Sequence, residues 1–192
     1  MLNRFVLALA LMIAGCQSGS QEPPPLAGAR IGGPFTLIDQ NGKPKSDRDF
    51  AGKYRIMYFG YTYCPDVCPT DMAKLAAGYR AFTKRDAAAA ARVVPVFVTV
   101  DPERDTPAVV KQFAAAFDRR VVGLTGTPEQ IAGITKAYGV VYGKAEGGDG
   151  ANYLVDHSRQ AYLMGPKGEP IALLSNEGSA DAIADELVRW VR

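Results

Sequence analysis

The most restrictive feature of the chain is a pair of cysteines, Cys64 and Cys68, set where one hydrophobic rhythm gives way to another. Before them, Arg55 to Tyr61 reads Arg-Ile-Met-Tyr-Phe-Gly-Tyr, an almost unbroken apolar run of the kind a buried strand shows. After them, from Thr70 to about Ala91, Met72, Leu75, Tyr79 and Phe82 recur at helical spacing and mark one buried face. The pair therefore sits where a strand hands over to a helix.

The alternation continues downstream. Val93 to Val100 is rich in β-branched residues and predicts a second strand. Thr106-Pro107 reads as an N-cap and first helical position, with Val109, Phe113 and Phe117 expected to face inward. Val121 to Leu124 predicts a short strand. Thr127-Pro128-Glu129-Gln130 is a capping box ahead of Ile131, Ile134 and Tyr138. Ala145 to Gly150 reads as a Gly-rich loop. Ala161 to Met164 and Ile171 to Leu174 pair around a turn at Gly165 to Gly168, and a last helix turns Ile183, Leu187, Trp190 and Val191 inward. Phe35 to Asp39 with the Asn41-Gly42 turn predicts a hairpin at the front. This order gives an α/β domain with a central mixed sheet flanked by helices. Cysteines at the end of the first core strand select the thioredoxin-like fold, here with an N-terminal hairpin extension.

Residues 1–15 read as an address rather than structure. Arg4 precedes an apolar run from Phe5 to Ala14, well short of the ~20 residues that span a bilayer. Ile13-Ala14-Gly15-Cys16 resembles a bacterial lipobox, which predicts a lipoprotein signal peptide cut before Cys16 and acylation of that cysteine. Residues 16–30, with Pro23-Pro24-Pro25, then form a flexible lipid-anchored tether, and residues 31–192 the working domain. That places the domain at the extracytoplasmic, periplasmic face of a bacterial membrane, where disulfides are permitted. The balance of 22 Lys+Arg against 20 Asp+Glu, with no basic run, excludes nucleic acid as the main partner. The charged groups Lys84-Arg85-Asp86, Arg104-Asp105 and Asp118-Arg119-Arg120 read as solvated surface.

Three residues separate Cys64 from Cys68, with a proline after each. Pro69 predicts that the helix starts at or after it. The sulfurs converge in a tight turn at a helix N-terminus, where the macrodipole favours thiolate. So placed, they can close into a disulfide or hold a soft metal. His157, the one histidine, lies in Val155-Asp156-His157-Ser158, just before the strand from Ala161. In a thioredoxin-like sheet that segment faces the cysteine turn. Two sulfurs and one nitrogen suit Cu(I), and imidazole suits Cu(II) as well. A closed zinc site would need a fourth ligand, here a carboxylate or water. Met72 reads as core before extra ligand. Asp66 reads equally as a turn residue or as an aid to the site, and Asp101 as the end of its strand more than as an anchor of the loop beside the site.

Gly60-Tyr61-Thr62 before Cys64-Pro65-Asp66-Val67-Cys68-Pro69-Thr70, then Thr99-Val100-Asp101-Pro102-Glu103-Arg104-Asp105-Thr106-Pro107, then Val155-Asp156-His157-Ser158 resembles the SCO/SenC/PrrC family. The resemblance runs from about Ile31 to Val191. It implies a thioredoxin-like copper-binding protein with Cys64, Cys68 and His157 as metal ligands, and Asp66 and Asp156 as candidates beside them. It implies a metallochaperone that delivers copper to the dinuclear centre of cytochrome c oxidase subunit II, not an enzyme. A thioredoxin-like extracytoplasmic reductant is the expected second partner, since copper loading needs reduced sulfurs. Tyr63 and Gly165 depart from the family's familiar residues. The alternative is a thiol–disulfide oxidoreductase or redox sensor working through the same cysteines.

Overall fold

The protein is described by a computed structural model covering residues 22–146, 152–175 and 178–192. The expected signal segment, Cys16, the start of the tether and the Gly-rich loop beyond Glu146 lie outside the described residues. In chain order the elements are β1 (Thr36–Asp39), β2 (Pro44–Ser46), β3 (Tyr54–Gly60), α1 (Val67–Arg85), α2 (Ala87–Ala90), β4 (Val93–Thr99) and α3 (Pro107–Phe117). There follow β5 (Val122–Thr125), α4 (Pro128–Tyr138), β6 (Tyr142–Lys144), β7 (Val155–His157), β8 (Ala161–Met164), β9 (Pro170–Leu174) and α5 (Ala180–Trp190).

Seven strands form one sheet in the order β2-β1-β5-β4-β3-β8-β9, while β6 and β7 pair as a separate ribbon. β3 is an interior strand and every residue in it is buried. It runs parallel to β4 from Tyr54↔Val93 to Gly60↔Thr99, and antiparallel to β8 on its other side. Parallel neighbours need crossovers, supplied by α1 between β3 and β4 and by α3 between β4 and β5. The two faces of β3 separate cleanly. Ile56 and Tyr58 meet Met72, Leu75 and Ala76 of α1. Phe59, one residue on, packs its ring 5.1 Å from Tyr138 of α4 and 6.2 Å from Tyr162 of β8. This is the mixed α/β, thioredoxin-like arrangement expected, with its N-terminal hairpin antiparallel to β5.

Three expectations need correction. The long helix is two: Asp86 leaves helical geometry and its carboxylate caps α2 by accepting the Ala89 N–H at 2.8 Å. Such a side chain competes with the helical backbone and ends α1. The helix also starts at Val67, before Pro69. Proline costs nothing in a first turn, where no intrahelical acceptor awaits its missing N–H. The buried face of α3 is Val110 and Ala114, not the half-buried Val109, Phe113 and Phe117. Gly123 on β5 is the reason: a Cβ there would lie 2.4 Å from Val110 Cγ1, so bare backbone lets α3 settle closer and rotate. Phe113 then covers the flank against Phe97, with centroids 4.8 Å apart.

The last part of the expected tether lies on the domain. Leu26 donates its N–H to the Ile171 carbonyl of β9 at 3.0 Å, and Glu22 pairs with Arg189. No helix among the described residues is long and apolar enough to cross a membrane.

The Gly123 contact generates a stability test. Gly123→Ala should destabilise by about 1–3 kcal/mol through overpacking, read by urea denaturation. Val110→Ala in that background should recover part of the loss. A neutral Gly123→Ala would show that α3 does not rest on this glycine.

Candidate metal centre

The cysteine turn hangs from the end of β3. Gly60, its last residue, has no side chain because Cys68 Sγ occupies the space: a Cβ would come within 3.0 Å of that sulfur. The chain then rises through Tyr61 and Thr62, and Thr62 is pinned from outside. The carboxylate of Asp105, fully buried, accepts the Thr62 N–H at 3.0 Å, the Thr62 hydroxyl at 2.5 Å and the Thr99 hydroxyl at 2.5 Å. Burial pushes the Asp105 carboxyl up, and these bonds offset only part of that. Asp101 accepts from the Tyr153 hydroxyl at 2.7 Å and pairs with Arg104, which stacks 3.6 Å above the Tyr153 ring. Arg104-Asp105 is therefore not solvated surface, and Asp101 anchors a loop rather than merely ending β4.

Asp66 occupies the N-cap position of α1, but its side chain makes no cap bond. Cys64 takes over that task. Its Sγ accepts the Cys68 N–H at 3.3 Å, and the backbone N–H groups of Asp66 and Val67 also face it. Burial raises the Cys64 thiol, but the three backbone donors and the Cys68 thiol together outweigh it, and the net effect is a lowered pKa. Cys68 is the opposite case: fully buried, its thiol is pushed well up by desolvation. Both cysteines are free. One turn thus holds two buried sulfurs of unequal character, Cys64 with backbone donors that favour its thiolate and Cys68, the more deeply buried, held as the thiol.

His157 reaches the sulfurs from the β6–β7 ribbon, where it pairs with Tyr142. The sequence pattern does not announce this ribbon, because three-residue strands carry too little of it. Ser158 ties the ribbon's base, donating its N–H to the Val141 carbonyl at 2.8 Å and accepting the Val141 N–H on Oγ at 3.0 Å. His157 Nδ1 lies 2.9 Å from the Ser158 carbonyl and Nε2 lies 3.1 Å from Cys68 Sγ. A carbonyl only accepts, so Nδ1 carries the proton and Nε2 turns its lone pair to the sulfur. Burial also lowers the pKa of His157, which keeps the ring neutral. Tyr58 and Tyr61 hold the ring edge-on, at 6.3 and 5.9 Å.

Cys64 Sγ, Cys68 Sγ and a His157 ring nitrogen all lie within 4.8 Å of one another. The set contains no carboxylate, and its sulfur content fits a soft cation. Of the other candidates, Asp66 is exposed and gives the site its backbone N–H; Asp156 is exposed and acts on His157 only through its charge. Met72 is buried core. The sequence reading missed what stands behind the two cysteines and His157. Asp71, fully buried one turn after Cys68, accepts the Tyr58 hydroxyl at 2.9 Å and a two-pronged contact from Arg159 at 2.8 and 3.1 Å. A carboxylate on the apolar face of α1 was the available signal.

Comparison with known proteins gives one consistent result. A family profile described as SCO1/SenC matches residues 23–192. Protein SCO1 homolog 1, mitochondrial, of Arabidopsis thaliana is 41% identical over 172 residues, 90% of this chain and 50% of that protein. Protein SenC of Rhodobacter capsulatus is 42% identical, over 91% of this chain and 75% of its own length. The chain thus spans half the length of the first and three quarters of the second. The crystal structure of Arabidopsis thaliana ScoI with copper bound superposes with a TM-score of 0.76 at 40% identity, covering 83% of this chain and 96% of that one. Two structures at 26% identity are a SCO1/SenC family lipoprotein from Bacillus anthracis, TM-score 0.71, and BsSco, TM-score 0.64, a Sco family cytochrome c oxidase assembly protein with a disulfide switch. They cover 84% and 81% of this chain, and 95% and 90% of their own.

The unequal sulfurs predict an order of reaction. In the reduced protein near neutral pH, iodoacetamide should modify Cys64 well before Cys68, because Cys64 is the more accessible and holds thiolate more easily. Peptide mapping by mass spectrometry reads the order. Equal rates, or Cys68 first, would contradict the assignment of the backbone donors to Cys64.

Proposed function

This chain belongs to the SCO1/SenC family, and on that premise we propose that it is an extracytoplasmic copper carrier serving cytochrome c oxidase assembly. Copper is its cargo, held by Cys64, Cys68 and His157, and the acceptor is the dinuclear copper centre of oxidase subunit II. The observation that carries this reading is the convergence of two sulfurs and one imidazole nitrogen within 4.8 Å. The copper-bound relative of the same fold supports it. Neutral His157 with its Nε2 lone pair already directed to Cys68 needs no tautomer change to bind metal. The thiol proton of Cys68 is what the metal displaces, so loading releases protons.

A redox gate follows from the same sulfurs, and the disulfide switch described for BsSco supports it. Oxidation removes two electrons and two protons from Cys64 and Cys68 and joins the sulfurs; the disulfide offers copper no thiolate. A thioredoxin-like dithiol outside the cytosol would return both electrons and become the disulfide itself. Thiol exchange is in this reading a preparation for loading rather than the chain's output. The lipobox-like run before Cys16 supports a lipid anchor on that residue, as does the lipoprotein among the relatives.

Reduced full chain should take up one copper, and its Cu(II) form should show a thiolate-to-copper charge-transfer band. Cys64→Ser or Cys68→Ser should abolish that band and His157→Ala should shift it. An unchanged spectrum in His157→Ala would remove that residue from the site. Oxidised chain should take up copper only after a dithiol is added; equally tight uptake without it would reject the gate.

The anchor is tested separately. Mass spectrometry of the processed chain should find an acylated Cys16 at its N-terminus, and Cys16→Ala should abolish both cleavage there and acylation. An unmodified mature terminus would mark an ordinary signal peptide.

A further inference from the structure

At the far end of β3 from the cysteines lies a cavity of about 360 Å³ lined in part by Arg55. Arg55 is the second residue of β3 and Gly60 the last, so the cavity and the sulfur turn stand about 17 Å apart along the strand. Arg55 is only 3% exposed, yet its Nε has no hydrogen-bond partner. The buried ion pairs elsewhere run from Arg104 to Asp101 and from Arg159 to Asp71, and none among the described residues engages Arg55. Its guanidinium lies 5.8 Å from the Phe50 ring centroid. Gly168, at φ +88°, leaves it room, since a Cβ there would come within 2.9 Å of Arg55 Nη2.

A guanidinium nitrogen taken out of water without an acceptor is costly, and arginines this buried are held by a paired anion. The cavity supplies the setting for one. Exposed Arg48 and Lys167 stand on its rim, and Tyr138 lines its wall. One negative group faces the same space: half-buried Asp47, whose Oδ1 accepts the Phe35 N–H at 3.3 Å. Three cations against one carboxylate leave an excess of positive charge suited to a dianion. The planar fork of Arg55 matches an oxyanion with several acceptor oxygens.

We infer that the Arg55 cavity is an oxyanion-binding site for phosphate or a phosphate monoester, at the opposite pole of the sheet from the sulfur pair. Free phosphate and the ester headgroup of an acidic lipid share this chemistry. The site stands independently of the copper reading, because none of its residues touches Cys64, Cys68 or His157.

The test is calorimetric titration of the full chain in non-ionic detergent, at constant ionic strength made up with chloride. Inorganic phosphate and glycerol phosphate are the probes and acetate is the monoanion control. Saturable binding of either phosphate, with acetate at least about tenfold weaker, is expected. Arg55→Met should weaken it by about tenfold or more, the scale of one lost charge-assisted hydrogen bond. Tighter binding of glycerol phosphate than of inorganic phosphate assigns the site to an ester headgroup, and the reverse to the free anion. If Arg55→Met does not fold, as judged by circular dichroism, the rim variant Arg48→Ser/Lys167→Ser decides, and it should weaken binding by a similar factor. No binding to the wild-type chain, acetate as tight as phosphate, or unchanged affinity in the deciding variant would overturn the proposal.

Discussion

The site rests on a sulfur doing the work of a helix cap. Most helices among the described residues begin on an oxygen: Thr106, Thr127 and Ser179 each accept the N–H three residues on. At α1 the cap residue contributes no such bond, and Cys64 Sγ takes the free donors of the first turn instead. The fold thus needs an electron-rich group at the point where the helix macrodipole is most positive. Local structure and reactivity are one constraint here. A change that removes the Cys64 sulfur also leaves helical N–H groups unmet, and a change that moves α1 alters the thiol.

Around that turn the polar residues form a frame. Asp105 fastens the loop before Cys64 to the end of β4, while Asp71 fastens Tyr58 and Arg159 behind Cys68. Both carboxylates are fully buried and both spend their acceptor capacity on named donors. This is the condition under which a buried polar group gives definition to the fold. Gly60 completes the frame by absence of a side chain. The tyrosines beside His157 fix the plane of its ring, so the nitrogen lone pair has one direction to face.

Much of this was legible in the sequence, and the limits have physical causes. Strands β3 and β4 announce themselves because burial on both faces demands unbroken apolar runs. The helix starts at Thr106 and Thr127 are legible because capping chemistry is local, and both caps form as read. The sulfur pair and His157 could be named from residue types and the resemblance they carry. What stayed hidden depends on partners distant in sequence. Arg104-Asp105 looks like surface charge until Thr62, Thr99 and Tyr153 arrive to meet it. The rotation of α3 is set by Gly123, on another element altogether. The β6–β7 ribbon owes its existence to Ser158 and Val141 more than to any strand pattern.

The two sulfurs lie four positions apart along the chain, and the nitrogen lies 89 beyond Cys68. Closing so short a loop costs less than gathering a group from so far along an unfolded chain, by about 3 kcal/mol. A nascent or denatured chain therefore offers a two-sulfur chelate and no more. Completion of the donor set is a report that β3, β8 and the ribbon have all assembled, and the full site distinguishes a finished molecule from an unfinished one.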